Sequence, residues 1–215
     1  MGKVIADMTV SLDGFIAGPN DSIDNPLGDG TEHLHEWMTS LETWRKSHGL
    51  EGGEHNQDTE IAEEHDRNVG AYILGRRMFD NGEGPWGDDP FRGHWGDTPP
   101  FPAPVFVLTH HPRESLPMEG GTTFHFVTDG IGGALTRARE AAGEQDVRIS
   151  GGATVVQQFL NAGLVDQLQL HIAPLLLGDG IRLLDGLDAS AIRLEPDRVV
   201  ASPKVTHIRY RVSRA

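Results

Sequence analysis

The stretch DVRISGGATVVQQFLNAG, residues 146–163, decides the fold. Its first five residues, Asp146 to Ser150, read as a β-strand. Beyond Gly151 and Gly152 the period changes. Val155, Val156, Phe159 and Leu160 share one helical face, and Gly163 stands where a left-handed cap commonly stops a helix. Two glycines let the backbone approach a ligand closely, and the positive end of the helix beyond them favours phosphate. The turn Ser150-Gly151-Gly152-Ala153-Thr154 serves equally well as plain close packing of a strand against a helix.

Working outward, the same alternation recurs. Lys3 to Val10 reads as a first strand ending in the loop SLDGFIAG, and AYILG (71–75) as a short buried strand leading into a helical turn at RRMF. Pro104 to Thr109 and Thr123 to Val127 are further strands. A helix from about Asp129 carries Ile131, Ala134, Leu135 and Ala138 on one face, and LVDQLQLHIAP is again a strand. Ile192 to Ala201 and Lys204 to Val212 form an antiparallel pair that finishes the sheet. From Thr31 to Trp44, the spacing of Leu34, Trp37, Met38, Leu41 and Trp44 predicts a helix, capped by Thr31 or Asp29. Strand and helix in alternation imply right-handed crossovers, so the expected fold is α/β, a mainly parallel central sheet with helices on both faces and an antiparallel C-terminal strand pair. Ligands of such sheets sit at the carboxyl ends of the strands.

The length of 215 residues suits one domain, 1–215, with variable excursions at 19–66 and 81–103. Residues 51–66 hold seven acidic residues and no Lys or Arg, which marks a solvated excursion leading into a short helix. No cysteine is present, which removes disulfides, thiolate zinc sites and cysteine nucleophiles and fits a reducing compartment. A net charge of -14 argues against non-specific binding to nucleic acid. The N-terminus has neither a signal-peptide core nor a membrane span, so a soluble cytoplasmic protein is expected. His33 and His35 point to different faces of the predicted helix, and neither they nor Glu64-His65 is read as a metal site.

Glycines and cations gather at three strand ends. Gly82 to Gly87 matches G-x-G-x-x-G by letters, but no strand leads into it and Pro85 opposes a helix after it. Gly75-Arg76-Arg77 is better placed: a buried strand, a glycine, then two guanidiniums suited to a phosphate ester, or alternatively a solvated surface pair. Thr109-His110-His111-Pro112-Arg113 leaves the next strand. Together with Gly151 and Gly152, these ends converge on an extended, phosphate-bearing cofactor.

In order, SLDGFIAG, ILGRRMF, VFVLTHHPRE, RISGGATVVQQFL and VDQLQLHIAPLLLGDG resemble the RibD C-terminal, dihydrofolate-reductase-like family over roughly residues 1–185. The resemblance implies an NADPH site. Gly75, Arg76 and Arg77 would lie near the adenosine 2′-phosphate with Thr109 and His110, while Gly151, Gly152, Ala153, Thr154 and Val155 would hold the pyrophosphate and nicotinamide end. It also implies that Asp13, Gly14 and Phe15 line the reaction cleft and that Ser150 faces the substrate, where the riboflavin-pathway reductases usually carry Glu. Asp13 and Glu32 are the candidate proton donors. The expected activity is NADPH-dependent reduction of a pyrimidine- or pterin-like heterocycle by a homodimer joined through its C-terminal strands. A dihydrofolate-type reductase, or a nucleotide-sensing dimer without catalysis, are the alternatives. The zinc deaminase domain of the full riboflavin enzyme needs cysteines that are absent here.

Overall fold

The computed structural model describes residues 1–88 and 91–215. In chain order its elements are β1 (Val4–Ser11), β2 (Phe15–Ala17), α1 (Glu36–Thr39), α2 (Glu42–Ser47), α3 (Gln57–Asp66), β3 (Val69–Gly75), α4 (Arg76–Asp80), β4 (Val105–Leu108) and β5 (Leu116–Pro117). There follow β6 (Thr123–Val127), α5 (Gly130–Ala142), β7 (Asp146–Gly151), α6 (Ala153–Asn161), β8 (Gln167–Ala173), β9 (Ile181–Arg182), β10 (Ile192–Ala201) and β11 (Thr206–Arg214). Nine strands make one sheet in the order β10-β11-β8-β1-β7-β3-β4-β6-β5. The run from β8 to β6 is parallel, and β11, β10 and β5 complete it antiparallel. This is the expected α/β sheet with its antiparallel C-terminal pair.

Alternation along β1 sorts the two faces. Val4, Ala6, Met8 and Val10 join Val147, Ile149, Phe159 and Leu160 in the larger core, under α5 and α6. Asp7, Thr9 and Ser11 therefore point the other way, as the period of two requires. There Trp37 of α1 donates from Nε1 to Thr9 Oγ1 at 3.2 Å. A second core of Tyr72, Leu74, Phe79, Phe101 and Phe124 closes the β3–β4–β6 end on this side.

The predicted helix over 31–44 is broken in two. Leu41 is fully buried with extended backbone, ψ 143°, between α1 and α2. The amide of Glu54 donates to Ser40 O at 2.8 Å and that of Glu42 to Glu54 O at 2.9 Å. A tertiary pairing with the acidic excursion thus overrides the helical spacing. The excursion ends in α3, whose Asn56 cap accepts from the Asp58 amide and forms a capping box with Thr59.

The SLDG loop is a clamp. Asp13 accepts from the Ser11 hydroxyl at 2.6 Å and from the amides of Leu177 and Gly178 at 3.2 and 2.8 Å. Arg182 donates to Asp13 O at 2.8 Å and lays its guanidinium 4.2 Å from the Phe15 ring centre. The short β2–β9 pair follows from this docking and had no signal in the sequence reading.

Two outcomes test this description. Phe159→Ala should destabilise the protein by about 3–5 kcal/mol in denaturant unfolding, since the ring is fully buried in the larger core. The Ser11 hydroxyl, with the two amides, lowers the Asp13 carboxyl from 3.8 to about 2. A depressed carboxyl stabilises the fold above its unfolded value and loses that contribution as pH falls through its folded value. Asp13→Asn should therefore melt lower than the wild type near neutral pH, with the gap closing between pH 3.8 and about 2. Equal melting near neutrality would dismiss the clamp.

Candidate active site

A cleft of ≈ 1310 Å³ opens along the carboxyl ends of β3, β4 and β7, between them and the residues of α1 and α4. Gly75, Arg76 and Arg77, then Thr109 and His110, then Ser150 and Gly152 to Val155 all border it. Three separated segments are thus brought to one wall.

Glycine is needed twice here. A Cβ on Gly75 would stand 2.9 Å from Val155 Cγ2, so β3 could not end so close to α6 with any other residue. Gly151 has φ +119°, and a Cβ there would meet Met8 Cε and Met78 Sδ at 3.1 Å. It lies beneath the wall, outside the lining. Gly152 caps α6 without a side chain, which leaves the amides of the first turn at the cleft where the helix end is positive.

The two arginines differ. Arg76 is 12% exposed, bonded through Nε to Asp80 at 2.6 Å, and stacked 3.2 Å from the Trp86 ring centre. Arg77 is 51% exposed and reaches Asp21 Oδ2 at 2.7 Å across the cleft mouth. Arg76 is built into the wall, whereas Arg77 holds a surface carboxylate that an anionic ligand could replace. The Thr109 hydroxyl accepts from the His111 amide at 3.2 Å and fixes the turn that presents His110.

Besides Gly151, four expected residues are off the lining. Asp13, Gly14 and Phe15 do not line the cleft, because the clamp turns the Asp13 carboxylate toward Leu177 and Gly178 and buries Phe15. Ionised down to about pH 2, Asp13 is also unsuited to give up a proton near neutrality. Glu32 is exposed and off the lining. Ile16 and Ala17, just after the loop, take the position expected of Asp13 to Phe15. The His65 side chain lies outside the described residues.

In their place the cleft holds a group that the sequence reading passed over. Asp7 of β1, Arg148 of β7 and His171 of β8 line it together. Asp7 Oδ2 accepts from Arg148 Nη2 at 3.3 Å and Asp7 Oδ1 lies 2.9 Å from His171 Nε2, with all three side chains 7% exposed or less. Trp37 stacks on His171 with ring centres 4.5 Å apart. His35 borders the same region, and desolvation, with the nearby His171, lowers its imidazole to about 4, so it is neutral near pH 7. The one local signal is that each of the three is an ionisable residue inside a strand.

Comparison with known proteins bears on the family and the fold. The family model of the RibD C-terminal domain matches residues 2–208. The chain is similar to the uncharacterised protein YyaP of Bacillus subtilis, 24% identical over 182 residues, 83% of this chain and 78% of the relative. Its structure is similar to that of a Shewanella sp. PV-4 protein assigned to riboflavin biosynthesis, with TM-score 0.61 and 21% identity over 99% of each chain. It is also similar to dihydrofolate reductase from Enterococcus faecalis complexed with NADP(H), with TM-score 0.50 and 16% identity over 99% of this chain and 96% of that one. At such identities the structures speak for the fold, which is of the dihydrofolate reductase type. With the family model spanning nearly the whole sequence and the sheet matching in kind, the chain belongs to the RibD C-terminal domain family.

Proposed function

We propose that the protein is an NADPH-dependent reductase acting on a pyrimidine- or pterin-like heterocycle. The observation that carries this reading is the convergence of three strand ends on one cleft wall, with backbone amides at the α6 start and guanidinium groups at the α4 start. The wall fits a dinucleotide. Glycines at Gly75 and Gly152 let the backbone border the cleft, the first turn of α6 favours a pyrophosphate, and Arg77 offers a fork-shaped cation to a phosphate ester. Bound there, the nicotinamide would supply the hydride, and the chain's own task is to orient the acceptor, exclude water and provide a proton.

The acceptor falls at the other end of the cleft, beside Trp37, Asp7, Arg148 and His171. The aromatic face and buried polar groups there suit a flat heterocycle with ring nitrogens. The Shewanella protein's assignment to riboflavin biosynthesis favours a pyrimidine such as 5-amino-6-(5-phosphoribosylamino)uracil. Ser150, which lines the cleft, cannot supply the charge of a glutamate to such a substrate. A homodimer is part of the same reading, with the edge strand β10 exposing Leu194 and Val199 as its interface.

Fluorescence titration with NADPH and NADH tests the cofactor. Arg77→Ala should weaken NADPH roughly 10- to 100-fold, the worth of one to two charge-assisted hydrogen bonds, and leave NADH nearly unchanged. Arg76→Ala should lower the melting temperature more than it shifts the preference, because it strands the buried Asp80. Equal loss of both cofactors in Arg77→Ala would contradict the 2′-phosphate role, and binding of neither by the wild type would overturn the reductase reading.

A further inference from the structure

From the cleft, a line of buried ionisable groups runs along one face of the sheet to α3. His171 Nδ1 lies 2.5 Å from His207 Nδ1 of β11, and His207 Nε2 lies 3.1 Å from Asp58 Oδ1 of α3. Asp58, His171 and His207 are each 2% exposed or less. Register explains the meeting: His171 pairs with Thr9 on one side and with His207 on the other, so the two imidazoles share a face beside Asp7. Trp37 holds both, stacked on His171 and edge-on to His207 at 5.0 Å.

The line can be counted in protons. It contains three hydrogen bonds, Asp7–His171, His171–His207 and His207–Asp58, and each needs one proton. Two neutral imidazoles bring two. The second oxygen of Asp7 accepts from Arg148 and that of Asp58 from the Ser202 hydroxyl at 3.0 Å. The third proton is therefore an added one, shared between the two Nδ1 atoms. Its charge balances one carboxylate, and Arg148 balances the other. A nitrogen separation of 2.5 Å leaves no room for a metal ion, which needs about 2 Å to each nitrogen.

We propose that Asp7, His171, His207 and Asp58 form a proton relay that stores one proton and delivers it through Asp7 to the acceptor reduced in the cleft. This rests on the reductase reading. When hydride adds to the acceptor carbon, the π pair of its C=N or C=O bond passes to the heteroatom, which takes a proton from Asp7. Asp7 draws that proton from His171 Nε2, and His171 Nδ1 takes the shared proton from His207. The line ends one proton poorer, with Asp7 and Asp58 ionised and both imidazoles neutral. Ser202 is half-buried at the outer end and offers the return path from solvent. Asp7 and His171 are the catalytic residues, and His207 and Asp58 act through them.

Among the described residues, the charged and titratable groups facing the imidazoles include Asp7 from β1, Arg148 from β7, His35 before α1, Asp58 from α3 and, more remotely, Arg198 from β10. Burial pushes the His207 imidazole below its ordinary value although Asp58 pulls it upward. Rising pH removes that proton, so the relay is charged on the acid side and empty on the alkaline side.

The test begins with the protein alone. In ¹⁵N-histidine NMR on the acid side of the His207 titration, His171 and His207 should show Nδ1 signals intermediate between protonated and bare nitrogen, and His207→Gln should abolish the intermediate signal at His171. Two independent, neutral imidazoles in the wild type would overturn the relay. Turnover is then followed with NADPH and 5-amino-6-(5-phosphoribosylamino)uracil or dihydrofolate as acceptor. His207→Gln and Asp58→Asn should lower kcat roughly 100-fold, as expected for loss of general acid catalysis, with the NADPH dissociation constant unchanged and the alkaline fall in kcat displaced. The wild type should show a solvent deuterium effect on kcat, a readout that needs no folded variant. Unchanged kcat in both variants, or no solvent effect, would overturn proton delivery. If the wild type binds NADPH yet reduces neither acceptor, the delivery role falls together with the reductase reading, while the NMR result independently decides whether the shared proton exists.

Discussion

A sheet covered on both faces has no place for a lone charge, and β1 carries one at its middle. Asp7 is answered by Arg148 on one neighbouring strand and His171 on the other, at 3.3 and 2.9 Å. Much else follows from satisfying that carboxylate. His171 calls for a partner on its second nitrogen and finds His207, which in turn is held by Asp58 of α3. Trp37 covers the imidazoles. Two of the elements roofing this face, α1 and α3, are thus tied down by polar contacts as well as by packing. Removing one member of such a buried set costs roughly 3–5 kcal/mol, because its neighbour is left charged in the interior.

The opposite end of the cleft is organised by backbone. Gly75 allows strand β3 and helix α6 to meet closely, and the helix begins at Gly152 without a capping side chain. Polar capacity is therefore left at the surface of the cleft, where an anionic ligand can use it. The long loop after α4 supports this end from outside: Trp86 lies between the guanidiniums of Arg76 and Arg113, 3.2 and 4.6 Å from its ring centre. Its indole donates to His111 O at 2.9 Å, which ties the loop to the turn presenting His110. Among the described residues, no helix is long and apolar enough to cross a membrane.

Division of labour within the cleft is clear from its chemistry. The exposed Arg77 and the start of α6 stand at the α4 and α6 end, while buried, mutually paired groups stand at the β1 and β8 end. The first arrangement suits binding of an anionic cofactor; the second suits holding a heterocycle and moving a proton with little rearrangement. Asp13, by contrast, serves the frame: it joins the loop after β1 to residues 177–178 and thereby positions β9.

Much of the fold was legible in the sequence because local periodicity reports which face of an element is buried. DVRIS followed by GGATVVQQFL could only be a strand turning into an amphipathic helix, and Val155, Val156, Phe159 and Leu160 are buried as that period requires. The wall of the cleft bearing Gly75, Arg76 and Arg77 was legible for the same reason, since these residues end and directly follow a strand. Sequence could not tell that Leu41 breaks a helical pattern, that β2 pairs with β9, or that Asp13 turns away from the cleft, because each depends on a partner far along the chain. The β1 and β8 end of the cleft was hidden most fully. Asp7, Asp58, Arg148, His171 and His207 come from five elements, and nothing local to any of them signals the others. Strand order and register bring them together, and only the tertiary structure decides strand order and register.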